Sequence, residues 1–267
     1  MVKHSIVTGG SSGIGKAIAL ELARRGDHVS ILARGQDRLE QAKGEIEAAR
    51  RSDQQRVLAM RVDVSDRAAV MQVMEDAIAQ LGSPQRLITC AGVARPGHFQ
   101  AMSAEVFEQA MSINYFGTLH CVQAVLPFMQ AEHSGQICLV SSGAGLVGLY
   151  GYSAYGPSKF AVRGLAESLR AELKTEGVQV SVVYPPDTQT PQLVEENKTK
   201  PAATKKITAT AKTWQAVDVA RVTLSGMERG RFVISPGVEI SLLVRLHSLI
   251  LPLLNRYFDG IVAMSSR

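Results

Sequence analysis

The chain has 267 residues, 46% of them hydrophobic, and a net charge of +5 from 29 Lys and Arg against 24 Asp and Glu. That length suits one α/β domain, because such domains of roughly 200–250 residues are routine. The mild positive charge favours anionic cofactors or lipid surfaces and does not call for nucleic acid. Three dispersed cysteines (Cys90, Cys121 and Cys138) offer neither a disulfide framework nor a metal cluster, and they suit a reducing compartment.

Residues 4–8 read as a short buried strand beginning so near Met1 that no signal peptide is expected. The strand runs into Gly9-Gly10-Ser11-Ser12-Gly13-Ile14-Gly15 and then a helix over 13–25. A strand, a glycine turn and a helix N-terminus make a dinucleotide phosphate site, where bare backbone and free N–H groups meet the pyrophosphate. Further strands are predicted at 28–33, 57–62, 87–89, 137–141, 178–184 and 232–234, with helices at 36–50, 66–81, 103–131 and 153–174. Alternation of this kind argues a parallel sheet with helices on both faces, in a single domain over 1–267.

The second strand ends in Ala33-Arg34-Gly35, with Arg38 one helical turn on. A site for the unphosphorylated dinucleotide usually has a carboxylate there, which would repel a 2′-phosphate that arginine binds bidentately. NADP(H) is therefore expected, with Ser11 as a second phosphate ligand.

The chemistry lies in Tyr155-Gly-Pro-Ser-Lys159, downstream of Ser141-Ser142. At i, i+4 on a helix the phenol and the ammonium share a face. A phenol titrates near pH ~10, and a fixed cation beside it should lower that value enough for proton exchange with an alcohol or ketone. Tyr150 and Tyr152 stand close by, but only Tyr155 has a lysine one turn later. A serine hydroxyl of the Ser141-Ser142 pair is expected to hold the substrate oxygen.

The spacing Thr8-Gly9-x-x-x-Gly13-x-Gly15, together with Ser142, Tyr155 and Lys159, resembles the short-chain dehydrogenase/reductase family. The resemblance covers the first 190 residues. It implies a Rossmann-type doubly wound domain with strand order 3-2-1-4-5-6-7. It also implies that Tyr155 is the proton donor, that Lys159 binds the nicotinamide ribose and that Asn114 is a structural and proton-relay asparagine. Asp63 would bind the adenine amino group. The cofactor contacts would include Thr8, Ser12, Ile14, Val64, Ala91, Gly92, Pro185, Thr188 and Thr190. In many relatives, long helices equivalent to 103–131 and 153–174 form a dimer face, so a homo-oligomer (dimer or tetramer) is expected.

Two departures from the general pattern point one way. Cys90-Ala91-Gly92 stands where the family usually has Asn-Ala-Gly, and Pro186 replaces a glycine in Tyr184-Pro-Pro-Asp-Thr-Gln-Thr-Pro191. Both are similar to the 3-ketodihydrosphingosine reductase branch, which implies a lipid ketone as substrate. A generalist or hydroxysteroid-type reductase would share the same catalytic residues. A non-enzymatic dinucleotide sensor would have no need of Ser142, Asn114, Tyr155 and Lys159 together.

The polar, lysine-bearing stretch 188–212 is long for a loop, and is expected to be a substrate lid or partly disordered. Leucines at helical spacing mark an apolar segment over 240–258, but Arg245, His247 and Pro252 interrupt it, so it is expected to fall short of the ~20 apolar residues a bilayer needs. Three readings stay open for it: core packing or a subunit interface, a wall for an acyl chain, or an in-plane membrane helix. A cytoplasmic protein is expected, under the third reading peripheral on the cytoplasmic face of a membrane.

Overall fold

The computed structural model describes residues 2–209 and 212–265. Among them, seven strands form one parallel sheet: β1 (His4–Thr8), β2 (His28–Ala33), β3 (Val57–Arg61), β4 (Arg86–Thr89), β5 (Gly135–Val140), β6 (Val178–Val183) and β7 (Val233–Ile234). The spatial order is β3-β2-β1-β4-β5-β6-β7, as expected. Side chains alternate between the faces of a strand. Ile6, Leu32, Leu87, Leu139 and Val182 therefore enter one core, and Val7, Ile31, Ile88, Cys138 and Val183 enter the other.

Helices α1 (Gly13–Arg24) and α2 (Gln36–Ala48) cover the second core through Ile18, Leu22, Leu39 and Ile46. On the opposite face lies α3 (Arg67–Leu81), whose N-terminus is capped by the Asp66 carboxylate accepting from Ala69 N–H at 3.1 Å. The predicted helix 103–131 is α4 (Ala104–Ala110), a π-helical stretch (Met111–Phe116) and α5 (Gly117–Ala131) in succession. Asn114 sits inside the π stretch, a feature often found at functional sites. α6 (Tyr155–Glu172) completes this layer. The order in which strands are added reverses between β1 and β4, so their carboxyl ends open a crevice at the point where ligands of such sheets bind.

Two expectations need correction. The stretch 188–212 is not a loop: Thr190 accepts from Leu193 N–H and caps α7 (Pro191–Thr199), and α8 (Ala202–Thr208) follows. Pro191 fits the first turn, where its missing N–H costs nothing. Thr188–Gln189 pairs with Trp214–Gln215 and closes the base of this excursion; residues 210–211 of the predicted lid lie outside the described residues.

The second correction concerns the C-terminal segment. After α9 (Ala216–Glu228), one helix, α10 (Val238–Ser265), runs for 28 residues through Arg245, His247 and Pro252. An internal proline removes one backbone hydrogen bond but leaves the rest of the ladder intact. At 1.5 Å per residue α10 is about 40 Å long. It is long and apolar enough to cross a membrane by length and composition, and only 6% of its most apolar window is buried.

Candidate active site

Four elements bring the expected polar residues together. Tyr155 opens α6, and Lys159 follows one turn later with its Nζ donating to the Val140 carbonyl at the end of β5, at 2.9 Å. The ammonium lies 5.7 Å from the Tyr155 ring centroid. Ser142, in extended backbone just past β5, accepts from Ala144 N–H at 3.2 Å and shares a hydrogen bond with the Tyr155 phenol. Asn114 is fully buried: its Oδ1 accepts from Val93 N–H, and its Nδ2 donates to the Val93 carbonyl and to Ser158 Oγ. Gly92 makes this convergence feasible. A Cβ there would stand 3.1 Å from Asn114 Oδ1 and 3.5 Å from Lys159 Nζ.

The electrostatics differ from the sequence expectation. Burial pushes the Tyr155 pKa up, the Glu196 and Asp187 carboxylates push it further, and the Ser142 hydrogen bond acts the other way. Lys159 is not among the influences that lower it; burial lowers the lysine's own pKa to about 8 against the raising influence of Cys90 and Glu196. The hydrogen bond to the Val140 carbonyl favours the ammonium, but burial outweighs it and pushes the lysine toward the neutral form.

Ser142, Tyr155 and Lys159 open on one cavity of about 2090 Å³, larger than the ~300–1,000 Å³ typical of small-molecule pockets. Of the residues expected to contact cofactor or substrate, Ser11 to Gly15, Gly9, Arg34, Arg38, Asp63, Val64, Ala91, Gly92, Ser142, Tyr155, Lys159, Pro185, Thr188 and Thr190 line it. Thr8 and Asn114 do not. Thr8 Oγ1 is turned to Ala91 N–H at 3.1 Å, so both residues hold the wall from behind instead of facing the cavity.

The glycine turn fits a dinucleotide phosphate. Gly9 has φ +65°, and a Cβ on it would meet Ala91 N at 2.8 Å. Neither a side-chain cap from Ser12 nor an acidic residue in the first turn competes for the N-terminus of α1, which leaves its N–H groups and dipole for an anion. At the far end, Arg34 and Asp63 approach to 3.8 Å, and Arg61 Nε donates to the Arg34 carbonyl at 3.1 Å. Burial acts to raise the Asp63 pKa, but hydrogen bonds from Ser65 and the charge of Arg34 outweigh it and lower the value.

Several cavity residues escaped the sequence reading. Arg61 is a strand-end arginine whose only sequence signal was its place beside Val62-Asp63. Tyr152, Asp187 and Glu196 also line the cavity, and Lys200 pairs with Asp187 behind them. Ile240, Leu243, Ile250, Leu254 and Phe258 of α10 supply an apolar wall. The leucine stripe signalled that wall; nothing in a polar α7 sequence signalled a buried glutamate.

A family model described as short chain dehydrogenase matches residues 3–201. The chain belongs to the short-chain dehydrogenase family, and is an oxidoreductase acting on a CH–OH group with a nicotinamide dinucleotide. It is 44% identical over 237 residues to the 3-dehydrosphinganine reductase of Danio rerio, covering 88% of this chain and 71% of that protein. It is 38% identical over 275 residues to the 3-ketodihydrosphingosine reductase of Dictyostelium discoideum, covering 98% and 82%. Among solved structures it resembles a short chain dehydrogenase/reductase from Burkholderia phymatum in complex with NAD. That match has a TM-score of 0.83 at 25% identity and covers 94% of this chain and 95% of the other.

Proposed function

We propose that the protein reduces 3-ketodihydrosphingosine to dihydrosphingosine with NADPH. The observation that carries this reading is a single cavity holding both the Ser142–Tyr155–Lys159 set and the apolar wall of α10. The relatives named for this reaction supply the substrate class.

When bound, NADPH supplies the hydride that reduces the ketone carbon. Ser142 Oγ and the Tyr155 hydroxyl meet the carbonyl oxygen, and Tyr155 gives its proton as charge develops there, so no free alkoxide has to survive. The raised pKa of Tyr155 keeps the phenol protonated and ready for this direction. Lys159 would hold the nicotinamide ribose. Asn114 fixes the Val93 backbone and, in the relay expected of it, lies beside Lys159 on the path that resupplies the proton. Arg34, Arg38 and Ser11 would hold the 2′-phosphate, with Arg61 alongside.

The substrate's alkyl chain would lie along Leu243, Ile250 and Leu254. α7 and α8 form the lid over the headgroup end. The outward face of α10, with Leu249 and Leu253 exposed, would rest in the lipid that delivers the substrate. Phe116 and Phe160, exposed on the two long-helix segments, fit the expected homo-oligomer face.

The test is NADPH oxidation by the purified protein with 3-ketodihydrosphingosine in mixed micelles, with NADH and a steroid ketone in parallel. Rapid turnover with the sphingoid ketone and NADPH, and little with either control, is the expected result. Turnover with the steroid alone would replace the substrate assignment and leave the chemistry standing.

A further inference from the structure

A buried polar cluster sits on the cavity wall beside Tyr155. The Tyr152 ring packs against the Tyr155 ring with centroids 5.5 Å apart, and the Tyr152 hydroxyl donates to Glu196 Oε2 at 2.7 Å. Gln192 Nε2 donates to Glu196 Oε1 at 2.9 Å. Lys200 Nζ, almost fully buried, stands 3.9 Å from Glu196 and 3.2 Å from Asp187. Two carboxylates thus share one ammonium, leaving the cluster formally one positive charge short. Buried charges are tolerated when paired, and the open side of this cluster is the cavity itself, which Asp187 and Glu196 both line.

We propose that Glu196, supported by Asp187, is a specificity-determining residue that binds a substrate ammonium on the carbon next to the reacting ketone. The inference rests on the proposed sphingoid substrate, whose amine is bonded to that carbon. In such an amino ketone the carbonyl oxygen and the nitrogen diverge from neighbouring atoms. One tyrosine ring likewise separates the Tyr155 end of the site from the Glu196 carboxylate. A carboxylate has about four lone-pair positions, so Glu196 can accept an ammonium N–H while keeping Tyr152 and Gln192. The charge of both carboxylates also acts on the Tyr155 phenol, raising its pKa. A neutral long-chain ketone would leave the cluster's excess negative charge uncompensated, so the amine is selected as well as bound.

The experiment compares kcat/KM with NADPH for 3-ketodihydrosphingosine and for its counterpart lacking the amine, at equal chain length. Wild type, Glu196→Gln and Asp187→Asn are measured, with thermal unfolding to confirm the fold. Glutamine still accepts from Tyr152, and Asp187 is partly exposed, so at least the second variant is expected to fold. Wild type should prefer the amino ketone, and Glu196→Gln should cut that preference about tenfold or more, chiefly through KM. Asp187→Asn should cut it less. A merely structural role would lower both substrates in proportion; an unchanged preference in both variants overturns the proposal. Equal use of both ketones by wild type overturns it while the substrate reading stands, whereas wild type inactive on both overturns the two together.

Discussion

Asn114 and Val93 exchange two hydrogen bonds, Val93 N–H to Oδ1 at 2.8 Å and Nδ2 to the Val93 carbonyl at 3.0 Å. One side chain in the π-helical stretch thereby pins the segment leaving β4, on the path that also carries Gly92 beneath Lys159. Asn114→Ala strands both backbone groups of Val93 and removes the donor to Ser158 Oγ. A loss of about 2 kcal/mol is expected in urea unfolding, with turnover falling further as the wall behind Lys159 loosens. Asn114→Asp keeps the acceptor but sets a buried carboxylate oxygen against the Val93 carbonyl, and should be no more stable than the alanine variant.

Removing the Tyr155 hydroxyl tests the proton donor. Tyr155→Phe is expected to lose about 10²–10⁴-fold in turnover and to bind NADPH as wild type does by fluorescence titration. Full activity in this variant would sink the mechanism.

The pH dependence should report the lysine. Lys159 has its pKa depressed to about 8, while that of Tyr155 is raised, so across neutral and mildly alkaline pH the lysine changes charge and the phenol stays protonated. Loss of the ammonium should weaken the hold on the cofactor ribose proposed for it. The expected outcome is that kcat/KM for NADPH, which reads the free enzyme, declines as pH rises through about 8. Lys159→Met should lack that limb at a low, flat level.

The sheet was legible because its strands announce themselves twice, as β-branched apolar runs and by the glycine turn that must follow β1. The Tyr155–Lys159 pair was legible because i, i+4 spacing already fixes a shared helix face. What failed depended on neighbours that local sequence does not name. Lys159 was expected to acidify Tyr155, but the pKa depends on burial and on Glu196, which arrives from α7 some 40 residues downstream. Thr8 and Asn114 lie behind the cavity wall, bonded to Ala91 and Val93; a position in sequence does not tell a cavity-facing side chain from one bonded to the wall behind. α10 was underestimated because Arg245, His247 and Pro252 were read as interruptions, whereas a helix with one exposed side accommodates all three.

A buried histidine should weaken the fold in acid. His4 in β1 is 1% exposed, with its ring nitrogens bonded to the Gly82 carbonyl and Ser30 Oγ. Burial lowers its pKa to about 4, assisted by His28 and opposed by the Gly82 hydrogen bond and Asp27. Unfolded, the imidazole titrates near 6.5, so between about pH 6.5 and 4 the unfolded chain holds more protons and is favoured as pH falls. The contribution is complete above pH ~6.5 and roughly 3 kcal/mol is lost by pH ~4. Denaturant midpoints should fall across that window, and His4→Gln should flatten the fall.

Cofactor choice is expected to turn on Arg34. Its guanidinium stands at the cavity edge 3.8 Å from Asp63, a loose contact between two well-exposed side chains that contributes little by itself. A 2′-phosphate offers a stronger partner, because charge-assisted hydrogen bonds to phosphate are short and bidentate. Losing such a contact costs about 1.5–3 kcal/mol, which is roughly 10–100-fold in affinity. Arg34→Ala should therefore raise KM for NADPH by that factor and change KM for NADH little, since the unphosphorylated ribose makes no such contact. Arg34→Asp should go further, repelling the phosphate while offering the ribose hydroxyls an acceptor, so that the NADPH to NADH preference falls again. If both variants keep the wild-type preference, the phosphate is held by Arg38 or Arg61, and the double variant with Arg61→Ala separates those two.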